Sequence, residues 1–141
     1  IGFNDNFGDE SHVFPALIKK IYNAKKYNLD HIKLYGTGIA KREFLNSKEL
    51  AKAIVFTMKL ENTPELINVG VGKEISIKNL IEMMCNILDY NGEIIFDNNY
   101  PDGTLRKVLD ISLLSSLGFI PENNLKKDIK EIYDWYAANK L

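Results

Sequence analysis

The feature that most constrains this chain is the way its hydrophobic period changes along the sequence. Apolar residues at Val13, Phe14, Leu17, Ile18, Ile21 and Tyr22 follow the i, i+3, i+4, i+7 spacing of an amphipathic helix. The same spacing returns at Leu50, Ile54, Val55 and Met58. It is strongest at Ile77, Leu80, Ile81, Met84, Ile87 and Leu88, and recurs at Leu125, Ile129, Ile132, Tyr133 and Tyr136. Between these stretches lie short apolar runs at 32–35, 44–45, 66–69 and 93–97, bounded by Gly, Asn and Pro, which read as strands. The predicted order is helix–strand–strand–helix–strand–helix–strand–helix–helix, an α/β chain.

Helix ends follow from local chemistry. Ser11 is expected to cap the first helix, with Pro15 in its first turn. Asn46 and Glu49 form a capping-box pattern for a helix that turns Leu50, Ile54, Val55 and Met58 inward. Asn62-Thr63-Pro64 breaks it, Ser76 opens the next helix, and a short helix over 110–117 ends at Gly118. The last helix starts near Asn124, with Trp135 at the rim of its apolar stripe. The strands are few for a complete doubly wound sheet. Gly36-Thr37-Gly38 and Gly70-Val71-Gly72 do not continue to the third glycine of a dinucleotide-binding turn. The chain therefore reads as a portion of a larger fold.

At 141 residues it is long enough to bury a core. Its 18 basic and 19 acidic residues balance to −1, so no broad basic field exists for nucleic acid or an anionic membrane, and any anion needs a local site. No apolar run approaches the roughly 20 residues that span a bilayer. The single cysteine, Cys85, excludes an internal disulfide and fits a reducing, cytoplasmic location. It lies at the edge of an apolar helical face with no basic neighbour in sequence, so an inert thiol is expected.

Residues 32–45 (IKLYGTGIAKREFL) hold the candidate chemistry: an aromatic ring at Tyr35, a permissive Gly-Thr-Gly loop, and the planar fork of Arg42, which matches phosphate oxygens in pairs. On local chemistry alone, a surface hairpin with a solvated Arg is the simpler reading. The rest of the chain shifts the balance. NDNF (4–7), SHVFPALIKK (11–20), YGTGIAKREFL (35–45), INVGVGKEISIKNL (67–80), FDNNYPDGTLRKVLD (96–110) and LGF (117–119) together resemble the C-terminal part of the GDP-L-fucose synthase family, within the extended short-chain dehydrogenase/reductases. The segments occur in family order over essentially the whole chain.

The resemblance implies a C-terminal substrate-binding portion whose strands and helices would complete a Rossmann-like sheet. Segments 43–60 and 66–69 would then pack on an N-terminal NADP-binding domain. It implies an enzyme that inverts C3 and C5 of GDP-4-keto-6-deoxy-D-mannose and reduces the ketone with NADPH, which is bound mainly by that N-terminal domain. By motif matching His12 is the epimerisation acid and a candidate cofactor contact. Lys20, Tyr35 and Arg42 match GDP-sugar contacts, and Asp102 a further substrate contact. Imidazole suits the acid role because it changes charge near neutral pH. Arg106 and Lys107 match too, though exposed charges after a turn are commonly just solvated. No metal is implied. The family's glycine-rich NADP turn, its Ser, Tyr and Lys, and its catalytic cysteine have no counterpart in 1–141, and Cys85 matches none of them. Tyr35 stands where bacterial members often carry Trp, and the loop from Phe7 to His12 is one residue shorter. The expectation is no turnover and marginal stability for this chain alone, with room for a homodimer in a longer protein. Two alternatives stay open: a non-catalytic remnant that binds GDP-sugar, and another NAD(P)-dependent nucleotide-sugar epimerase or dehydratase.

Overall fold

A computed structural model describes residues 1–139. Helix α1 (Val13–Lys26) buries Phe14, Pro15, Leu17, Ile18, Ile21 and Ala24, the predicted stripe. Its N-cap is His12 rather than Ser11, in extended backbone and without a capping bond from its side chain. The chain then forms β1 (His31–Tyr35), which pairs in parallel with β4 (Glu93–Asp97), His31 opposite Glu93 and Tyr35 opposite Asp97. Along β1, buried Ile32 and Leu34 alternate with exposed His31, Lys33 and Tyr35, so one face meets the core and the other carries polar groups.

A second sheet has the order β3–β2–β5. Its centre is β2 (Lys41–Arg42), antiparallel to β3 (Ile75–Ser76) and parallel to β5 (Arg106–Lys107). Two expectations fail here. Residues 66–69 form no strand, and Leu66 is 79% exposed; the pairing starts at Ile75, beyond the Gly70–Gly72 turn. The run at Phe44 and Leu45 does not pair either. Phe44 instead drops into the core against Phe14, ring centroids 5.6 Å apart.

Helices α3 (Ile77–Ile87) and α5 (Leu125–Asn139) pack with α1 over β1, and their buried residues are one cluster that includes Leu80, Ile81, Met84, Ile129 and Ile132. The Ser76 side chain accepts a bond from Asn79 N at 3.1 Å and caps α3 as expected. Short α4 (Ser112–Ser116) ends at Gly118, whose φ of +100° suits a residue without Cβ. Trp135 stacks on Phe3 and Phe7 at the rim.

Helix α2 (Ser47–Thr57) departs most from expectation. Asn46 does cap it, accepting from Lys48 N at 2.9 Å. The capping box is not closed, because the Glu49 carboxylate turns to Lys52 Nζ at 2.5 Å and accepts from Glu122 N at 2.8 Å. Glu49 and Ala53 are the buried face. Leu50, Ile54, Val55 and Met58, expected inside, are 41–79% exposed. The bond from Glu122 N holds the Glu49 face of the helix inward, and its apolar stripe faces outward.

Candidate functional site

The end of β1 delivers Tyr35 to a loop held by two left-handed glycines, Gly36 at φ +78° and Gly38 at +76°. Neither tolerates a side chain. A Cβ on Gly36 would lie 2.5 Å from Asp102 Oδ1, and one on Gly38 would lie 2.5 Å from the Phe96 ring. Gly36 N donates to Asp97 O at 3.0 Å, extending the β1–β4 ladder into the loop. Ile77 N and Lys78 N, at the start of α3, donate to Ala40 O and Gly38 O. The loop is therefore fixed from both sides.

Across from it, the Asp102 carboxylate accepts from Thr37 N at 3.0 Å and Thr37 Oγ1 at 2.6 Å. The hydroxyl bond is the main reason its carboxyl is held below the usual carboxylate range. This tie joins the Pro-Asp-Gly turn to the Gly-Thr-Gly loop. Between them opens a cleft of about 180 Å³, lined by Tyr35, Arg42 and Asp102 over Val13, Ala40 and Ile77, with Pro101 and Gly103 at its edge. Clefts that bury a whole drug-sized ligand run to about 300–1,000 Å³, so this one fits a segment of a larger ligand.

Of the sequence-predicted residues, Tyr35, Arg42 and Asp102 are thus brought together. His12 immediately precedes Val13 but is exposed and does not line the cleft. Lys20 lies farther along α1, its Nζ donating to Lys33 O at 3.0 Å, and does not line the cleft either. Arg42 spends one donor on Lys41 O at 2.7 Å, leaving most of its fork unused.

Three residues that organise the site were not singled out from the sequence. Thr37 receives Asp102. Tyr100 lays its ring against Tyr35, centroids 4.0 Å apart. Glu43 accepts Val71 N at 2.9 Å and Gly72 N at 3.1 Å through Oε2, and Leu109 N at 2.7 Å through Oε1. One carboxylate thereby ties the end of β2 to the Gly70–Gly72 turn and to the segment that follows β5. Sequence gives no signal for such a tertiary acceptor. Glu43 also answers whether that turn could cradle a dinucleotide: the amide hydrogens of Val71 and Gly72 are already taken, and those opening α3 are bonded to the loop. The Gly70–Gly72 turn and the start of α3 therefore offer no backbone cradle for a dinucleotide's pyrophosphate. Cys85 is buried, and burial pushes its thiol up to about 11.

Residues 2–70 match the model of the NAD dependent epimerase/dehydratase family. Across 98% of its length the chain is 42% identical to a putative GDP-L-fucose synthase 2 of Arabidopsis thaliana, covering 42% of that protein. It is 38% identical to a GDP-L-fucose synthase of Sinorhizobium fredii, over 98% of this chain and 44% of that one. The crystal structure of a GDP-L-fucose synthetase from Naegleria fowleri superposes with a TM-score of 0.88 at 27% identity, covering 99% of this chain and 43% of that one. The chain spans less than half the length of these relatives. In fold the chain matches that portion of the Naegleria fowleri GDP-L-fucose synthetase structure, and in sequence it is similar to NAD dependent epimerase/dehydratase proteins. Among those proteins it resembles part of the GDP-L-fucose synthases.

Proposed function

We propose that this chain supplies the GDP-sugar site of an enzyme that makes GDP-L-fucose from GDP-4-keto-6-deoxy-D-mannose. The observation that carries the reading is the convergence of Tyr35, Arg42 and Asp102 on one cleft, in a chain 42% identical to a protein named for that activity. Arg42 neutralises phosphate oxygens with its unused donors, Tyr35 offers a ring face, and Asp102 holds the loop and accepts from a sugar hydroxyl with its remaining lone pairs. Lys20 and the His12 imidazole approach from α1, His12 delivering the proton that completes inversion beside the ketone. NADPH supplies hydride when bound and is held mainly by a dinucleotide-binding domain outside these residues. The outward stripe of α2 and residues 66–69 form the surface on which that domain packs. Without it the chain has no turnover.

Several similar proteins act on other GDP-sugars by name, including a GDP-L-colitose synthase of Yersinia pseudotuberculosis at 33% identity. This supports the guanine nucleotide more firmly than the particular sugar. The test is calorimetry with GDP, GDP-mannose and UDP, on the chain joined to its dinucleotide-binding half. Arg42→Ala is expected to weaken the GDP ligands by about 1.5–3 kcal/mol, the scale of a hydrogen bond to a charged group. Unchanged affinity removes Arg42 from the site. For the acid, His12→Gln is expected to suppress solvent deuterium incorporation at C3 or C5 while leaving NADPH binding intact; wild-type incorporation would make His12 a helix cap only.

A further inference from the structure

We propose that Thr37 is a positioning residue for sugar recognition, its amide and hydroxyl aiming the Asp102 carboxylate at a sugar hydroxyl of the ligand. The inference rests on reading Asp102 as the acceptor for such a hydroxyl. It starts from how little else holds that residue. Tyr100 N donates to Asp97 O at 3.3 Å, and Leu105 O accepts from Lys41 N at 2.8 Å. Residues 101–104 lie between these ties, outside any helix or strand. Among the described residues, the hydrogen bonds that anchor them are those of the Asp102 carboxylate to the Gly-Thr-Gly loop. Oδ1 accepts from Thr37 N at 3.0 Å and Oδ2 from Thr37 Oγ1 at 2.6 Å.

The dependence runs one way. Thr37 stands on a loop that is fixed without Asp102: Gly36 N donates to Asp97 O, and Ile77 N and Lys78 N donate to Ala40 O and Gly38 O. Asp102 stands on a turn with no such frame. The hydroxyl is itself oriented, because Thr37 Oγ1 accepts from Ile39 N at 3.3 Å, which leaves its single hydrogen for Asp102 Oδ2. Held at both oxygens, the carboxylate cannot rotate about its last bond without breaking both contacts. A Cβ on Gly36 would stand 2.5 Å from Oδ1, so the carboxylate sits directly on the loop backbone.

An ionised carboxylate accepts at about four lone-pair sites and has no hydrogen to give. Thr37 takes one site on each oxygen, while Asp102 lines the cleft beside Tyr35 and Arg42. The sites left over match a group that donates, and in a nucleoside-diphosphate sugar such donors are the hydroxyls of the ribose and of the hexose. The same loop favours the ionised form, through the Thr37 hydroxyl first and the Thr37 and Gly38 amides after it. Without that hydroxyl the turn loses its shortest tie, and the ligand must order the carboxylate as it binds, at a cost in affinity.

The experiment titrates GDP-mannose, GDP and dideoxy-GDP, which lacks both ribose hydroxyls, into the chain joined to its dinucleotide-binding half, with a melting curve for each variant. Thr37→Val keeps the branched shape and the amide but not the hydroxyl. It is expected to weaken GDP-mannose about three- to tenfold, the scale of one hydrogen bond, and to leave dideoxy-GDP within about twofold. Thr37→Ala gives the same reading should the valine methyl disturb the loop. Thr37→Ser restores GDP-mannose to within about twofold of the wild type, and Thr37→Val adds nothing once Asp102→Ala is present. GDP then tells the hydroxyls apart: it falls with GDP-mannose if the donor is on the ribose and stays with dideoxy-GDP if the donor is on the hexose. If dideoxy-GDP weakens as much as GDP-mannose, or if Thr37→Ser is as weak as Thr37→Val, Thr37 only supports the loop and the inference fails. If Asp102→Ala weakens GDP-mannose and Thr37→Val does not, the inference fails while Asp102 keeps its role. If Asp102→Ala has no effect, the reading of Asp102 falls, and this inference with it.

Discussion

Helices α2 and α3 each have 11 residues, and each begins at a polar side chain that accepts an amide hydrogen of its first turn. In α3 the apolar stripe is the buried one, with Leu80, Ile81 and Met84 fully enclosed. In α2 the stripe is the exposed one, and a charged residue, Glu49, is buried in its place. Capping and periodicity determine that a helix forms and which of its faces is apolar. They do not determine where the cover for that face comes from. For α3 the cover is α1 and α5 within this chain; for α2 it is the proposed dinucleotide domain.

The comparison is broken most severely at α3. Met84→Ala should cost about 2–5 kcal/mol in denaturant unfolding, because the vacated volume is walled by rigid neighbours. A loss below about 1 kcal/mol would mean that α3 is no more central than α2. One turn of α3 also carries its own probe. With the thiol raised from 9.0 to about 11, Cys85 at pH 8 should react with iodoacetamide about 100-fold more slowly in the native protein than in urea, since the thiolate is the reactive form. A group of this kind favours the folded state below pH 9, and that contribution is lost as pH climbs toward 11. Rapid native labelling at pH 8 would contradict the burial of α3.

Between the two helices in expected effect stands Glu43. Glu43→Ala removes the acceptor of three amides and should cost about 1–3 kcal/mol, with GDP affinity falling in parallel as the support of Arg42 loosens. Stability unchanged within error would show that water replaces the carboxylate without consequence. The smallest effect belongs to α2. Ile54→Ser should shift stability by no more than about 0.5 kcal/mol in this chain alone. The same change should lower binding of a hydrophobic dye, and should weaken association with the dinucleotide domain when that is supplied. A large loss of stability in the isolated chain would mean that the stripe is covered after all.

What could be read from the sequence was local. The run EIIFD marks β4 to the residue, Ser76 marks the start of α3, and Gly118 marks the end of α4, because in each case the cause lies within a few positions. Gly36 and Gly38 were legible as permissive, though not that Asp102 and Phe96 fill the space a side chain would need. Two-residue strands such as β3 and β5 leave no periodicity to find, and 66–69 is apolar without a partner strand among the described residues. The outward turn of α2 depends on Glu122 N, 73 positions from Glu49. The triple acceptor at Glu43 spans loops 28 to 66 positions away. Tyr35, Arg42 and Asp102 were named individually from motifs; their common cleft is a product of the fold.

The ring of Tyr100 against Tyr35 bears on how a ligand could settle here. A phenol has two sides, and one of them already has a neighbour, so a purine arriving at Tyr35 must either displace that neighbour or take the open side and make a stack of three. The first route trades one aromatic contact for another and leaves little net gain. The second keeps the gain but turns the Pro-Asp-Gly turn, through its own tyrosine, into part of the wall the base rests on.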